Sequence, residues 1–172
     1  DVGNPDDVGE MFANIASREE SLAAVIHNAS ILGPRGTLDT LAWSDWRRVI
    51  STNLDGSFLV MTAALPLLRA AEDAVLVGMS SSVGRKGRGT WGAYSVSKHG
   101  LEGICDILAD ETAGEVTVLS INPGGTATDM RAEAAPDEDP ETLPTATLVA
   151  ETIVGLCIEE YESGSKLDVR DF

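Results

Sequence analysis

The sequence predicts an α/β protein built on a parallel sheet with helices on both faces, a doubly wound arrangement. Three observations point there. Three short runs, Leu22 to His27, Ala74 to Met79 and Glu115 to Ile121, are largely apolar, as strands covered on both faces are. Longer stretches with helical spacing alternate with them. Polar residues collect directly after each run: Asn28 after the first, Ser80 to Ser82 after the second, and Asn122 to Thr128 after the third. In open parallel sheets the ligand site lies beyond the carboxyl ends of the strands.

Each element has a local reason. Pro5 to Ala16 reads as a helix, with Asn4 as its N-cap and Pro5 at the first helical position. Trp43 to Ala71 reads as one long helical stretch, with a kink expected at Pro66. Trp91 to Thr112 is helical, with Leu101, Ile104, Cys105 and Leu108 on one stripe. Asn122 to Pro144 is rich in Pro, Gly and acid and reads as a loop holding a short helix. Thr145 to Glu160 returns to helix, and Leu167 to Val169 gives a last short strand. No repeat or linker divides residues 1–172, which read as a single domain.

Composition narrows the function. Hydrophobic residues make up 43% of the chain and aromatics 5%, which suits a globular α/β core. The net charge of −16, from 28 acidic and 12 basic residues, repels nucleic acid and anionic membranes. Lys86, Lys98 and Lys166 are the only lysines. The acid excess with scarce lysine fits a halophilic protein, whose self-repulsion is screened by molar salt. No apolar run reaches the roughly 18 residues of a membrane span. Cys105 and Cys157 read as buried thiols, with no CxxC and no Cys/His cluster. No metal site is expected, and a reducing cytoplasm is the natural compartment.

The chemistry is carried by Tyr94 and Lys98. At a spacing of four they share a helix face, and an ammonium beside a phenol lowers the phenol's pKa. Tyr94 then qualifies as a proton donor and acceptor near neutral pH. Spacing alone also describes a surface Tyr with a nearby Lys. Four further segments change the balance: His27-Asn28-Ala29-Ser30, Asn53 within Ser51-Thr52-Asn53-Leu54, Ser81 thirteen residues before Tyr94, and Asn122-Pro123-Gly124-Gly125-Thr126-Ala127-Thr128. In this order and spacing they resemble the short-chain dehydrogenase/reductase family over nearly the whole chain.

The resemblance implies a Rossmann-like fold and an NAD(P)-dependent oxidoreductase interconverting an alcohol and a carbonyl. It implies Tyr94 as proton donor and acceptor, Ser81 as the group that orients the substrate oxygen, and Lys98 on the ribose hydroxyls. Asn53 would hold a relay water. Asp1, Asn28, Ala29, Pro123, Gly124, Thr126 and Thr128 would join Tyr94 and Lys98 around NAD or NADP. Thr128 also reads as the cap of the segment after it, and Ser81 as part of a serine turn, although its spacing to Tyr94 selects it over Ser80 and Ser82. Ser30 stands where the family has Gly, and Thr126 where it usually has an aliphatic residue.

One part of the family pattern is absent. No Gly-x-x-x-Gly-x-Gly turn precedes His27, so the chain is expected to be an N-terminally truncated fragment without the first two strands. Gly84, Gly87 and Gly89 mimic such a turn in the wrong place. The alternative reading is a non-catalytic remnant that acts only in protein association. Family members usually pair through their two long helices, which implies a homodimer or homotetramer. Arg85, Lys86 and Arg88 form the one basic cluster, either a solvated loop or a site for an anionic substrate. Trp91 is either a pocket wall or a packing residue.

Overall fold

A computed structural model describes residues 1–172. Helix α1 spans Pro5–Ala16, with the Asn4 side chain accepting from the Asp6 and Asp7 amides. Strand β1 is Ala24–His27, two residues shorter at its start than the apolar run. Helix α2 (Trp43–Ile50) passes through a wide π turn, Ser51–Asp55, into α3 (Gly56–Arg69). Then come β2 (Ala74–Met79), a single turn α4 (Ser82–Arg85), and α5 (Gly92–Glu111). Strand β3 (Val116–Asn122), the short α6 (Asp129–Ala134), α7 (Ala146–Leu156) and β4 (Lys166–Asp168) complete the chain.

All four strands are parallel in the order β1-β2-β3-β4, with Ile26 opposite Val77, Val77 opposite Leu119 and Ile121 opposite Leu167. Side chains alternate across each strand and build two cores. Ala74 and Leu76 of β2 and Val116 and Val118 of β3 face α1, α3 and α5. Val75, Val77 and Met79 of β2 and Leu119 and Ile121 of β3 face α7. The doubly wound arrangement is therefore present, and every residue of β2 is buried. No helix is long and apolar enough to cross a membrane.

The expected kink at Pro66 is not where the long helical stretch changes. Helix α3 runs through Pro66, and the backbone instead widens at Ser51–Asp55. Single-turn π segments are frequent at functional sites. Here the turn carries Asn53, whose side chain is 1% exposed.

Candidate active site

The carboxyl ends of β1, β2 and β3 open into a cavity of about 800 Å³. Asn28, Ala29, Ser81, Tyr94, Lys98, Pro123, Gly124, Thr126 and Thr128 all line it. Asp1 does not. Its carboxylate accepts from the Gly3 amide, and its terminal amine pairs with Asp7.

Ser81 follows β2 and caps α4, its hydroxyl accepting from the Val83 amide at 3.4 Å. That leaves the hydroxyl hydrogen free to donate. Tyr94 and Lys98 come from the first two turns of α5, four residues apart on the face turned to the cavity. The Lys98 ammonium donates to the Met79 carbonyl at 2.7 Å and lies 5.7 Å from the Tyr94 ring centroid. Burial lowers its pKa to about 8. Tyr94 departs from expectation: burial raises its phenol pKa, with a hydrogen bond from Ser81 pulling the other way. Desolvation of the phenolate is the larger of the two effects.

Gly84 sets how closely α4 approaches α5. A Cβ built there would lie 2.8 Å from Lys98 Cβ and 3.0 Å from its backbone. The glycine that mimicked a phosphate turn is thus a packing residue behind the lysine. Arg85 is no solvated loop residue either. Its Nε donates to Glu102 Oε1 at 3.0 Å, and its Nη2 donates to the Ser120 and Leu167 carbonyls, each at 3.0 Å. Glu102 also accepts from the Ser80 and Ser120 hydroxyls. Burial pushes the Glu102 carboxyl up, but these hydrogen bonds and the guanidinium charge outweigh it and hold the pKa below the ordinary value. Sequence reasoning missed Glu102. The available signal was an acid inside the apolar stripe of α5, four residues after Lys98.

Asn53 braces the first loop. Its Oδ1 accepts from the Ile31 amide at 2.8 Å, and its amide nitrogen donates to the Ile31 carbonyl at 2.8 Å and to Ser97 Oγ at 3.2 Å. Both amide hydrogens are used, and its own carbonyl accepts from Ser57 Oγ. Ser57 in turn lies 3.0 Å from His27 Nε2. Burial, then the Lys98 charge, lowers the His27 pKa to about 4.

That shift has a sign. A His whose folded pKa lies below its unfolded 6.5 binds protons more readily when unfolded, so stability rises with pH across the interval from about 4 to 6.5. The contribution is complete above pH 6.5 and disappears as pH falls to 4. Urea unfolding at several pH values is expected to show it. His27→Asn should flatten the profile over this window by up to about 3 kcal/mol. An unchanged profile would refute the assignment.

The cavity suits a polar nucleotide. The hydroxyls of Ser30 and Thr126 are buried on its lining without any protein partner. Buried polar groups are nearly always paired, so these two orphans mark places for ligand atoms. Gly124, at φ +75°, gives the third strand's loop a left-handed turn at the cavity wall. Thr128 both lines the cavity and caps α6, its Oγ1 accepting from the Arg131 amide at 3.2 Å. Its two sequence readings are compatible. The basic cluster contributes no cation here, since the lining arginine is Arg131, tied to Glu138 at 2.5 and 2.7 Å.

A four-stranded Rossmann-like sheet with this constellation at its carboxyl edge defines a class, and the chain belongs to the short chain dehydrogenase family, which matches residues 1–139. An uncharacterized oxidoreductase of Escherichia coli K12, YciK, is 43% identical over 136 residues, covering 79% of this chain and 54% of that protein. A 3beta-hydroxysteroid dehydrogenase of Mediterraneibacter gnavus is 32% identical over 138 residues, covering 80% and 50%. The chain thus spans about half the length of the curated relatives it matches. A putative short chain dehydrogenase of Escherichia coli CFT073, solved with NADPH, superposes with a TM-score of 0.89 at 36% identity, over 97% of this chain and 70% of that one. A Shigella flexneri 2a homologue solved with NADP gives 0.90 at 35% identity, over 97% and 71%.

Proposed function

We propose that the chain carries the catalytic part of an NAD- or NADP-dependent oxidoreductase that interconverts an alcohol and a carbonyl. The observation carrying this reading is that Ser81, Tyr94 and Lys98 line one cavity at the carboxyl ends of the strands, together with two orphaned hydroxyls. The nicotinamide, when bound, supplies or accepts the hydride. Ser81 Oγ donates to the substrate oxygen and orients it. Tyr94 Oη passes a proton to that oxygen in reduction and takes one in oxidation. Lys98 Nζ, held by the Met79 carbonyl, offers its remaining hydrogens to ribose hydroxyls. Asn28, Ala29, Pro123, Gly124, Thr126 and Thr128 form the nucleotide wall, and Asp1, which lies outside this cavity, is assigned to the adenine side by the family resemblance alone. Asn53 acts by holding Ile31 and Ser97 in place. A relay water would have to use its backbone carbonyl, shared with Ser57.

The relatives solved with NADPH and NADP support a nicotinamide dinucleotide. Titrating NADPH and NADH and following nicotinamide fluorescence tests the reading in this chain. Saturable binding of either is the expected result, and none for both would overturn it here. The second reading, a remnant acting in association, is favoured by exposed apolar residues on the long helices: Phe58 at 56% and Ile107 at 58%. The same faces suit a homodimer or homotetramer of an active enzyme. The two free cysteines fit a reducing cytoplasm, and the −16 charge supports a halophilic protein. Its melting temperature is expected to rise between low and molar KCl, and a flat response would remove that assignment.

A further inference from the structure

We propose that Arg35 is a positioning residue that fixes Trp91 as one wall of the substrate side of the cavity, and that this wall selects a neutral, ring-shaped apolar group beside the reacting carbonyl. The proposal rests on the oxidoreductase reading.

Three segments meet at the cavity mouth: the loop after β1, the loop before α5, and the end of α6. Arg35 joins all three. Its Nε donates to the Thr90 carbonyl at 3.1 Å, its Nη2 to Thr90 Oγ1 at 2.7 Å and its Nη1 to the Ala134 carbonyl at 2.7 Å. Its guanidinium carbon lies 4.2 Å from the centroid of the Trp91 ring. Next to it, the Gly36 amide donates to the Thr90 carbonyl at 3.1 Å, and Gly36 pairs with Trp91 as an isolated parallel bridge.

Two features show that this clasp is specified by shape. In a chain with 28 acidic residues, Arg35 makes no ion pair. All its nitrogens go to carbonyl and hydroxyl oxygens, and its flat face goes to the indole, a geometry that a lysine lacks. Thr90 is held at φ +68°, where a β-branched residue is strained. Such strain persists only where surrounding contacts over-determine it, and it clusters at binding sites.

The clasp delivers an apolar surface to the reacting groups. Trp91 stands 5.9 Å from the Tyr94 ring, centroid to centroid, and packs with Leu32, Met130 and Ala134, all lining the cavity. Of the two arginines at this wall, Arg131 is neutralised by Glu138, and Arg35 commits Nε, Nη1 and Nη2 to Thr90 and Ala134. A flat hydrocarbon finds an indole and a thioether there, while both arginines are engaged by protein oxygens.

The test isolates Trp91 emission in a Trp43→Phe/Trp46→Phe background and titrates cyclohexanone and acetone, with and without NADP. Cyclohexanone is expected to give a saturable change at about a tenth of the acetone concentration, the order that a few buried methylenes carry. Arg35→Met is expected to shift the emission of the free protein and weaken cyclohexanone at least about fivefold, with acetone unchanged. A purely structural brace would weaken both probes alike. Arg35→Lys keeps the charge but loses the fork, and is expected to behave like Arg35→Met. Equal response to both ketones overturns the proposal, as does a variant pair that leaves emission and cyclohexanone binding unaltered. A parallel NADPH titration separates the two readings. Nucleotide binding without ring preference defeats this inference alone, and ring preference without nucleotide binding defeats the oxidoreductase reading alone.

Discussion

Tyr94→Phe is expected to cut carbonyl reduction by about 10²–10⁴-fold, the usual worth of a positioned general acid, while nucleotide affinity stays within about twofold. The substitution removes one oxygen and little else. The ring keeps its place among Leu32, Val83 and Trp91, so the loss in stability is expected to stay within about 1 kcal/mol. What disappears is the proton at the cavity. Because burial raises the phenol pKa, Tyr94 is protonated at neutral pH and ready to donate. The oxidative direction needs the phenolate, which an adjacent positive charge stabilises. Activity in that direction is therefore expected to rise with pH more steeply than reduction. NADPH oxidation with cyclohexanone, beside nicotinamide fluorescence for affinity, measures both effects. A Tyr94→Phe variant with undiminished turnover would sink the mechanism.

Much of this architecture could be read from spacing. Continuous apolar runs marked β1, β2 and β3 because both faces of each are covered, and Asn4-Pro5 marked the start of α1 through cap chemistry. The residues that line the cavity from the sequence motifs share one cause: each follows a strand or begins the next helix. What could not be read depends on distant partners. Pro66 drew attention as the local breaker, yet α3 accommodates it. The backbone widens at Asn53 instead, where a buried amide takes Ile31, twenty-two residues away, as its partner. Arg35 meets Ala134 across ninety-nine residues, and no periodicity announces that. Spacing reports which charges lie near Tyr94 and says nothing of the burial that raises its pKa.

Arg85 shows the same limit, and it leads to the largest expected change in stability. Glu102→Ala is expected to cost about 3–5 kcal/mol, the range for breaking a buried pair from one side. Glu102 is 6% exposed and joins four parts of the fold to α5. Ser80 lies at the end of β2, Ser120 is in β3, Arg85 closes α4, and Lys166 begins β4, 3.5 Å from Glu102 Oε2. Removing it leaves a guanidinium that is 27% exposed with only carbonyl and hydroxyl partners, and two buried hydroxyls without their acceptor. For a chain of this size the melting temperature is expected to fall by about 10 °C. Adding Arg85→Met to Glu102→Ala deletes the stranded charge, so the double variant is expected to recover part of the loss. Ser80 adjoins Ser81, so the single variant is also expected to loosen the serine that orients the substrate oxygen. Chemical denaturation of the two variants decides it: a loss below about 1 kcal/mol, or a double variant no more stable than the single, would show that the pair does not hold these strand ends together.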